Sequence, residues 1–342
     1  MKIIIQKLAI GLGVSVMLAT ALSGVAKAET VLKWSAYFSA DNFIYKEVFT
    51  PLMREIEQES NGEIKFEEYS SGALGKITQQ YDLLKNGLAD MSMYIPSYSR
   101  GRFPLSEAGT LPFAFTSAAQ GTLVLNELVE KWLAPEHKNV KLLFMYTPAP
   151  AGVLSKDKAV ASMSDFDGLK MRSSGAVGTE ILKLVGANVV TVPLPEVYTA
   201  LERGVVQGTI MDPVTTTNYK LYEPATNFTP LAFSSVVAAI AMNQRSWDKL
   251  TPEQQAIVSA AVKRAVTRVI NAYTERGQTS LETMKEANLK IVDFPAEERE
   301  RFVEKVVPLW DKWTEEKESE GDPAKAFMVD FEAARKKYAD KP

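Results

Sequence analysis

One arginine stands where an open α/β fold would bind a ligand. The run Leu169-Lys170-Met171 predicts a short strand that ends at Arg172, and a Ser-Ser-Gly turn and a helix follow. Ligands of open α/β sheets bind beyond the carboxyl ends of the strands, and a guanidinium presents a planar fork of donors that fits a carboxylate. From its position alone, Arg172 could equally bind a ligand's carboxylate or form a structural salt bridge.

Most other patterns that carry chemistry are missing from the sequence. The chain has 342 residues, no Cys and a single His, His137, which excludes disulfides, thiolate nucleophiles and Cys-ligated zinc and argues against a Ser-His-Asp triad. Residues 72–78 depart from a phosphate-binding loop, because two residues rather than four separate the glycines and Ile77 follows Lys76. His137 lies in a charged segment and is predicted to be a surface residue. We therefore expect no enzyme activity and no cofactor, and we assign no metal-ligating residues. Whether a metal ion accompanies a bound ligand is left open by the sequence.

The composition is that of a globular protein with no bias towards nucleic acid. Hydrophobic residues make up 46%, charged residues 24%, and the formal net charge is −3. Nothing in this balance favours a polyanionic partner. At about 100–200 residues per domain, the length suggests two domains.

Residues 1–28 have the order of a secretory signal peptide. Lys2 and Lys7 precede an apolar stretch over 8–25, and Ala26-Lys27-Ala28 supplies the small residues of a cleavage site. A membrane anchor is the competing interpretation, since the stretch approaches the ~20 residues that a spanning helix needs. Glycine, serine and threonine residues dilute it, however, so we expect cleavage near Ala28 and an exported, periplasmic protein.

The elements that must position Arg172 alternate between strand-like and helix-like segments, which indicates an α/β architecture. Strands are predicted over residues 31–37, 64–69, 91–95, 140–146, 169–172, 188–192, 208–211 and 235–242. Helices are predicted over residues 43–59, 77–86, 177–185 and 195–202. The last hundred residues are mostly helical. A capping box at Thr251 opens a long helix that runs towards residue 287 with one interruption at Gly277, and another helix is predicted over 295–317.

Several segments resemble the extracytoplasmic solute-binding subunits of TRAP transporters, of the DctP type. Residues 165–172, DFDGLKMR, are similar to that family's DLKGLKIR segment, and residues 186–208, GANVVTVPLPEVYTALERGVVQG, are similar to its GANPVPMPFSEVYTALQQGVVDG segment. Shorter segments over 71–75, 86–91, 111–115 and 247–251 agree in order and spacing. The resemblance extends over nearly all of the chain beyond residue 28.

The resemblance implies a two-lobed periplasmic-binding-protein (Venus flytrap) fold with a long helix that spans both lobes. Lobe I is expected over 29–153 plus about 243–270, and lobe II over 154–242 plus about 271–342 with the C-terminal helices. A cleft between the lobes would close on one small ligand, which is delivered to a TRAP-type membrane permease. The resemblance also implies that Arg172 clamps the carboxylate of the ligand.

Departures from the family bear on the identity of the ligand. Many acid-binding members carry a second arginine where this chain has Ala151–Ser155, so we expect a monocarboxylate rather than a dicarboxylate. Leu194 replaces a common phenylalanine. The family's ligand-binding asparagine corresponds to Met211 or, with one gap, to Asp212, and Thr215 follows in the same loop. Asp212 could pair with an amine or hydroxyl of the ligand, or it could cap the helix that begins with a proline.

Four aromatic residues are predicted to line the ligand pocket. Trp34 and Tyr37 end the first strand, Tyr94 ends the third, and Tyr146 precedes a proline-rich turn. Aromatic side chains at strand ends suit an apolar wall with a polar tip, although each could instead belong to a hydrophobic core.

The sequence leaves two alternatives open. One is an exported binding protein for a small amine or cation, whose binding would depend on Asp212. The other is a binding protein that serves an ATP-driven importer or a sensor. An exported hydrolase or isomerase lacks a nucleophile–base pair to support it.

Overall fold

The computed structural model describes residues 29–341, which form two mixed β-sheets with helices packed around them. The predicted signal peptide lies outside the described residues. Within residues 29–341, no helix combines the length and the apolar character that crossing a bilayer requires.

Eleven strands build the two sheets of this part of the chain. They are β1 (Thr30–Ser35), β2 (Ile64–Tyr69), β3 (Met91–Tyr94), β4 (Val140–Tyr146), β5 (Ala151–Ser155), β6 (Lys170–Ser173), β7 (Asn188–Thr191), β8 (Gly208–Met211), β9 (Asn227–Ser234), β10 (Ala238–Asn243) and β11 (Lys290–Ile291). The first sheet has the order β2-β1-β3-β10-β4, and the second has the order β11-β9-β5-β8-β6-β7. Each sheet is the centre of one lobe, which confirms the predicted two-lobed α/β fold.

Helices cover both sheets and connect them. They are α1 (Thr50–Glu59), α2 (Gln80–Asn86), α3 (Ala118–Leu128), α4 (Ala176–Leu184), α5 (Val197–Glu202), α6 (Pro213–Asn218), α7 (Gln244–Lys249), α8 (Pro252–Glu286), α9 (Ala296–Val306), α10 (Leu309–Ser319) and α11 (Ala324–Lys337).

The chain crosses between the lobes at two short connections. Residues 147–150 join β4 of the first sheet to β5 of the second, and residues 235–237 join β9 back to β10. The predicted boundary near residue 243 is wrong, because β10 pairs with β3 and β4 of the first sheet. All six residues of β10 are buried, as expected for a strand with a neighbour on each side.

The long helix α8 spans both lobes, as predicted. It has 35 residues, which at 1.5 Å per residue gives a length of about 50 Å. Its Thr251 capping box is formed, with Thr251 accepting from the Gln254 backbone N–H. The helix packs against α1, α3 and β4 of the first lobe and against α6 and β11 of the second. The predicted interruption at Gly277 is absent, since the helix runs through this position.

The C-terminal region departs from the prediction in two ways. The helix expected over 295–317 is divided into α9 and α10 at Pro308, because a proline has no backbone N–H and clashes with the preceding turn. The helix α11 was not predicted. It packs against α3, and Arg335 donates hydrogen bonds to the carbonyls of Phe113 (2.9 Å) and Ala114 (2.6 Å). This part of the C-terminal region therefore contacts the first lobe rather than lobe II alone.

Replacement of Gly277 by alanine tests the continuity of α8. A Cβ atom at this position has nothing within 4 Å, so Gly277→Ala should raise the free energy of unfolding by about 0.5–1 kcal/mol through helix propensity. Denaturant unfolding measures this change.

The matched control is Gly121→Ala in α3, where the new Cβ would lie 2.2 Å from Thr147 Cγ2 and 2.8 Å from the Phe115 ring. This variant should be destabilised. A loss of stability in Gly277→Ala would contradict a continuous helix.

Candidate ligand-binding site

A cleft between the two sheets is the candidate binding site. Its empty volume is about 1090 Å³, part of it open to solvent. Both lobes and the long helix contribute to its walls, with Tyr37, Phe43, Tyr98 and Tyr146 from the first lobe, Arg172, Ile210, Met211, Asp212, Thr215 and Tyr219 from the second, and Tyr273 from α8.

Arg172 is held at the floor of this cleft by the second sheet. It is the third residue of β6, with Val190 of β7 beside it on one side and Thr209 of β8 on the other. Its side chain is only 3% exposed. Its Nε donates to the carbonyl of Val192 at 2.8 Å. These contacts fix the orientation of the guanidinium.

The charge of Arg172 has no counter-ion in the part of the chain that the structure describes. No Asp or Glu oxygen between residues 29 and 341 lies within 4.0 Å of its guanidinium nitrogens. An ionised group that is buried without a partner is costly, so burial normally comes with pairing. The arrangement therefore favours an anion in the cleft.

Tyr98 links the two lobes across the cleft. It follows β3 of the first lobe, and its hydroxyl oxygen accepts from Arg172 Nη2 at 3.0 Å and from the backbone N–H of Leu194 at 3.3 Å. Both lone pairs of the hydroxyl are thereby occupied, which leaves its proton for another acceptor. The two lobes touch at this point, so the cleft is in a closed arrangement.

Asp212 combines the two roles that the sequence left open. It directly precedes α6, and its Oδ1 accepts from the backbone N–H of Thr215 at 2.9 Å, which makes it the N-cap. It also lines the cleft while being only 5% exposed. Removal from water raises the pKa of the carboxyl from its ordinary value of 3.8 to about 6. Met211 lines the cleft as well.

Buried tyrosines give the cleft an aromatic wall with neutral hydroxyl groups. Tyr146 and Tyr273 lie with their ring centroids 5.8 Å apart, and Tyr146 Oη contacts Met93 Sδ at 2.9 Å. Burial raises the pKa of both hydroxyls, and the nearby Asp212 charge adds to this effect. Both tyrosines are therefore uncharged at neutral pH.

The structure brings six of the eight predicted site residues together in the cleft. They are Tyr37, Tyr146, Arg172, Met211, Asp212 and Thr215. Their contact with a ligand stays a prediction.

Trp34 and Tyr94 lie outside the cleft, so their assignment is corrected. Trp34 is fully buried and packs on Tyr45 and Phe49, because alternate residues of β1 point to opposite faces of the sheet. The Tyr94 hydroxyl is hydrogen-bonded to Nδ1 of His137 in the core of the first lobe. Both are core residues.

His137 is not the surface residue that its charged neighbours suggested. It is 1% exposed, stacks on Phe103 at 4.3 Å and lies 3.1 Å from the hydroxyl of Ser106. The adjacent Glu136 is drawn inwards because it accepts the backbone N–H groups of Leu105 and Ser106. These polar partners make the burial of the segment possible.

Sequence reasoning missed three tyrosines of the cleft. Tyr219 could have been found, since Asp212, Thr215 and Tyr219 follow one another at helical spacing. Tyr98 lies in a single 3-10 turn, Pro96–Tyr98, after β3, and Tyr273 has the sequence context of an ordinary core residue of a long helix. Only the packing of the lobes brings these two to the site.

Two sheets in separate lobes, with a buried cation in the cleft between them, define a two-lobed solute-binding protein. The model of the DctP family, described as bacterial extracellular solute-binding protein, family 7, matches residues 34–317, and the chain belongs to this family. The protein is a TRAP-type solute-binding subunit, as predicted.

Relatives of known structure share the whole architecture. A marine-metagenome TRAP solute-binding protein specific for aromatic acid ligands, solved with meta-hydroxyphenylacetate, is 26% identical with a TM-score of 0.86, over 92% of this chain and 100% of that one. A TRAP solute-binding protein of Rhodoferax ferrireducens T118, solved with copurified benzoate, is 24% identical with a TM-score of 0.85, over 91% and 98%. A solute-binding protein of Sulfitobacter sp. (strain NAS-14.1) is 27% identical over 311 residues, 87% of this chain and 91% of that one.

The raised pKa of Asp212 predicts a pH dependence of stability. Between pH 3.8 and about 6 the unfolded chain loses the proton of Asp212 while the folded chain keeps it. Rising pH therefore favours unfolding in this window, by about 3 kcal/mol in total, and the penalty persists above it.

Asp212→Asn is the variant that isolates this effect, because asparagine caps a helix as well as aspartate does. Relative to the variant, the wild type should lose stability as pH rises from 4 to 7 in chemical denaturation. A constant difference between the two proteins across this range would contradict a desolvated Asp212.

Proposed function

We propose that this protein captures a small monocarboxylate with an apolar, aromatic-sized body and delivers it to a TRAP-type permease in the membrane. The observation that carries the proposal is the buried guanidinium of Arg172, which has no carboxylate partner among residues 29–341. A ligand carboxylate would supply the missing charge through charge-assisted hydrogen bonds.

The donors for such a carboxylate converge from both lobes. Arg172 Nη1 has no hydrogen-bond partner among the described residues, and the Tyr98 hydroxyl has both lone pairs filled and a proton to donate. The two side chains are already hydrogen-bonded to each other. The remaining donors, Arg172 Nη1 and the Tyr98 hydroxyl proton, therefore belong to neighbouring groups. A carboxylate bound here would touch both lobes only in the closed state, and ligand binding would therefore favour closure.

The walls of the cleft favour a single carboxylate on an apolar body. Arg172 is the one cationic side chain that lines the cleft in the described part of the chain, and Ala151–Ser155 places no charge there. Much of the remaining wall is aromatic or aliphatic, with Phe43, Ile95 and Tyr273 as examples. The relative that is 26% identical is specific for aromatic acids, which supports a ligand of this kind.

Export and delivery follow from the same proposal. Residues 1–28 have the order of a cleavable signal peptide, and the family consists of extracellular solute-binding proteins. We infer that the protein acts in the periplasm, as a binding protein rather than an enzyme, with the permease as its partner.

Replacement of Arg172 tests the carboxylate clamp. The protein is stripped of copurified ligand by unfolding and refolding, and benzoate and 3-hydroxyphenylacetate are titrated calorimetrically. A hydrogen bond to a charged group contributes about 1.5–3 kcal/mol, so Arg172→Gln should weaken binding by about 10- to 150-fold.

The matched control is Arg203→Gln, an exposed arginine on the second lobe, which should leave the affinity within about twofold. Circular dichroism checks that both variants are folded. Unchanged affinity in Arg172→Gln, or no binding of either acid to the wild type, would overturn the proposed function.

Removal of the Tyr98 hydroxyl tests the link between binding and closure. Tyr98→Phe should weaken benzoate binding by about tenfold, because the carboxylate loses the Tyr98 donor and the closed cleft loses the hydrogen bonds from Arg172 Nη2 and the Leu194 N–H. In a double-mutant cycle with Arg172→Gln the two effects should be less than additive, since the side chains share one carboxylate. Full additivity would show that they act separately.

A further inference from the structure

The cleft holds two buried ionisable side chains of opposite charge, and neither has a counter-ion among residues 29–341. Arg172 lies on β6, and Asp212 lies at the end of β8. No Lys or Arg nitrogen of the described chain lies within 4.0 Å of the Asp212 carboxylate. We propose that the ligand is a zwitterion, whose carboxylate binds Arg172 and whose cationic amino group binds Asp212. This inference rests on the proposed function, because it takes the carboxylate clamp as given.

The sheet register separates the two charged residues. Arg172 is the neighbour of Thr209 on the adjacent, parallel strand β8, and Asp212 comes three residues after Thr209. At about 3.3 Å per residue, the two backbone positions differ by about 10 Å along the strands. The Arg172 side chain shortens this separation, because its Nε reaches the carbonyl of Val192, two residues beyond the paired Val190. The two charged groups form no salt bridge with each other, so a ligand that bridges the gap between them meets both.

The groups around Asp212 are suited to receive an ammonium. Its Oδ1 accepts from the Thr215 backbone N–H at 2.9 Å, and its carboxyl also lies within hydrogen-bonding reach of the Thr215 hydroxyl and the Val214 N–H. No Lys or Arg of residues 29–341 forms a salt bridge with it. Tyr146 of β4 and Tyr273 of α8 lie close enough for the Asp212 charge to raise the pKa of their hydroxyls. An ammonium has three donors and no acceptor, so a carboxylate oxygen and neutral hydroxyl oxygens are the partners that it needs.

The capping role alone does not account for an aspartate at this position. Asparagine would cap α6 equally well, and it would avoid the cost of burying an ionised carboxyl. The only other charged side chain that lines the cleft, among the residues described, is Arg172. A cationic group of the ligand would offset the cost that Asp212 imposes on the empty protein.

The proposal predicts a preference that depends on pH. A simple carboxylate leaves the ionised Asp212 buried and unpaired, whereas a zwitterion pairs both protein charges. Burial raises the pKa of Asp212 to about 6. Below this pH the carboxyl is neutral and attracts the ligand's ammonium group less strongly. The preference for the zwitterion should therefore be large at pH 8 and small at pH 5.

Two pairs of probes of matched shape test the proposal by calorimetry on the stripped protein. The rigid pair is 3-(aminomethyl)benzoate and 3-ethylbenzoate, and the flexible pair is 5-aminovalerate and hexanoate. In each pair an ammonium replaces a methyl group. At pH 8 the amino compound of at least one pair should bind the wild type at least tenfold more tightly than its partner, and the ratio should shrink at pH 5.

The variants separate this proposal from the proposed function. Asp212→Asn should abolish the preference while 3-ethylbenzoate still binds, and Asp41→Asn, at the exposed mouth of the cleft, should keep it. The zwitterion proposal is overturned if the methyl compounds bind as tightly as the amino compounds at pH 8. It is also overturned if neither compound of either pair binds while benzoate does. A third contradicting result is an Asp212→Asn variant whose ratio of amino-compound to methyl-compound affinity equals that of the wild type. Loss of the proposed function itself would show differently, as failure of every carboxylate, benzoate included, to bind.

Discussion

A positive charge buried between two lobes, with no carboxylate of residues 29–341 paired to it, is the constraint around which this molecule is organised. Arg172 is fixed by its neighbours on β7 and β8 and by the Val192 carbonyl. A fold that holds a guanidinium in this state sacrifices stability when the cleft is empty, because desolvation is not offset. A ligand that brings the missing charge recovers that free energy, and it does so most fully when the cleft is closed around it.

The two-lobed architecture places this charge at a contact between the lobes. Arg172 and Leu194 belong to the second lobe and Tyr98 to the first, and the Tyr98 hydroxyl joins them across the cleft. The connections at 147–150 and 235–237 are short, and α8 runs along both lobes. The two lobes are thereby linked at three places, and Arg172 and Tyr98 lie where their facing surfaces meet. The helix α11 adds a contact between the C-terminal region and the first lobe.

Much of the fold was predictable because local patterns and tertiary structure agree. The capping box at Thr251 correctly predicted the start of α8, and the alternation of strand-like and helix-like segments correctly predicted an α/β fold. The strand β9 was missed because Pro230 lies inside it, and proline normally argues against a strand. The sheet tolerates it at an irregular stretch, where Ala232 has a positive φ of 52° and the register with β5 shifts. The sheet to which β10 belongs depends on long-range pairing that no local pattern contains.

The candidate site was predictable only where chemistry and sequence position coincide. Arg172, Met211 and Asp212 lie near the carboxyl ends of strands of the second sheet, so the rule for open α/β folds locates them. Trp34 and Tyr94 end strands as well, but their side chains point to the core face, and a one-residue difference in register reverses the face. Tyr98 and Tyr273 reach the cleft from a short 3-10 turn and from the long helix α8. Their position in the cleft depends on how the two lobes pack against each other, and no local sequence pattern contains this information.

A crystal structure of the stripped protein soaked or co-crystallised with benzoate would show directly whether Arg172 binds a carboxylate. We expect a closed cleft in which the ligand's carboxylate oxygens lie about 2.7–3.0 Å from the Arg172 guanidinium and the Tyr98 hydroxyl. A benzoate whose carboxylate lies elsewhere, with Arg172 paired to a carboxylate of the protein, would contradict it.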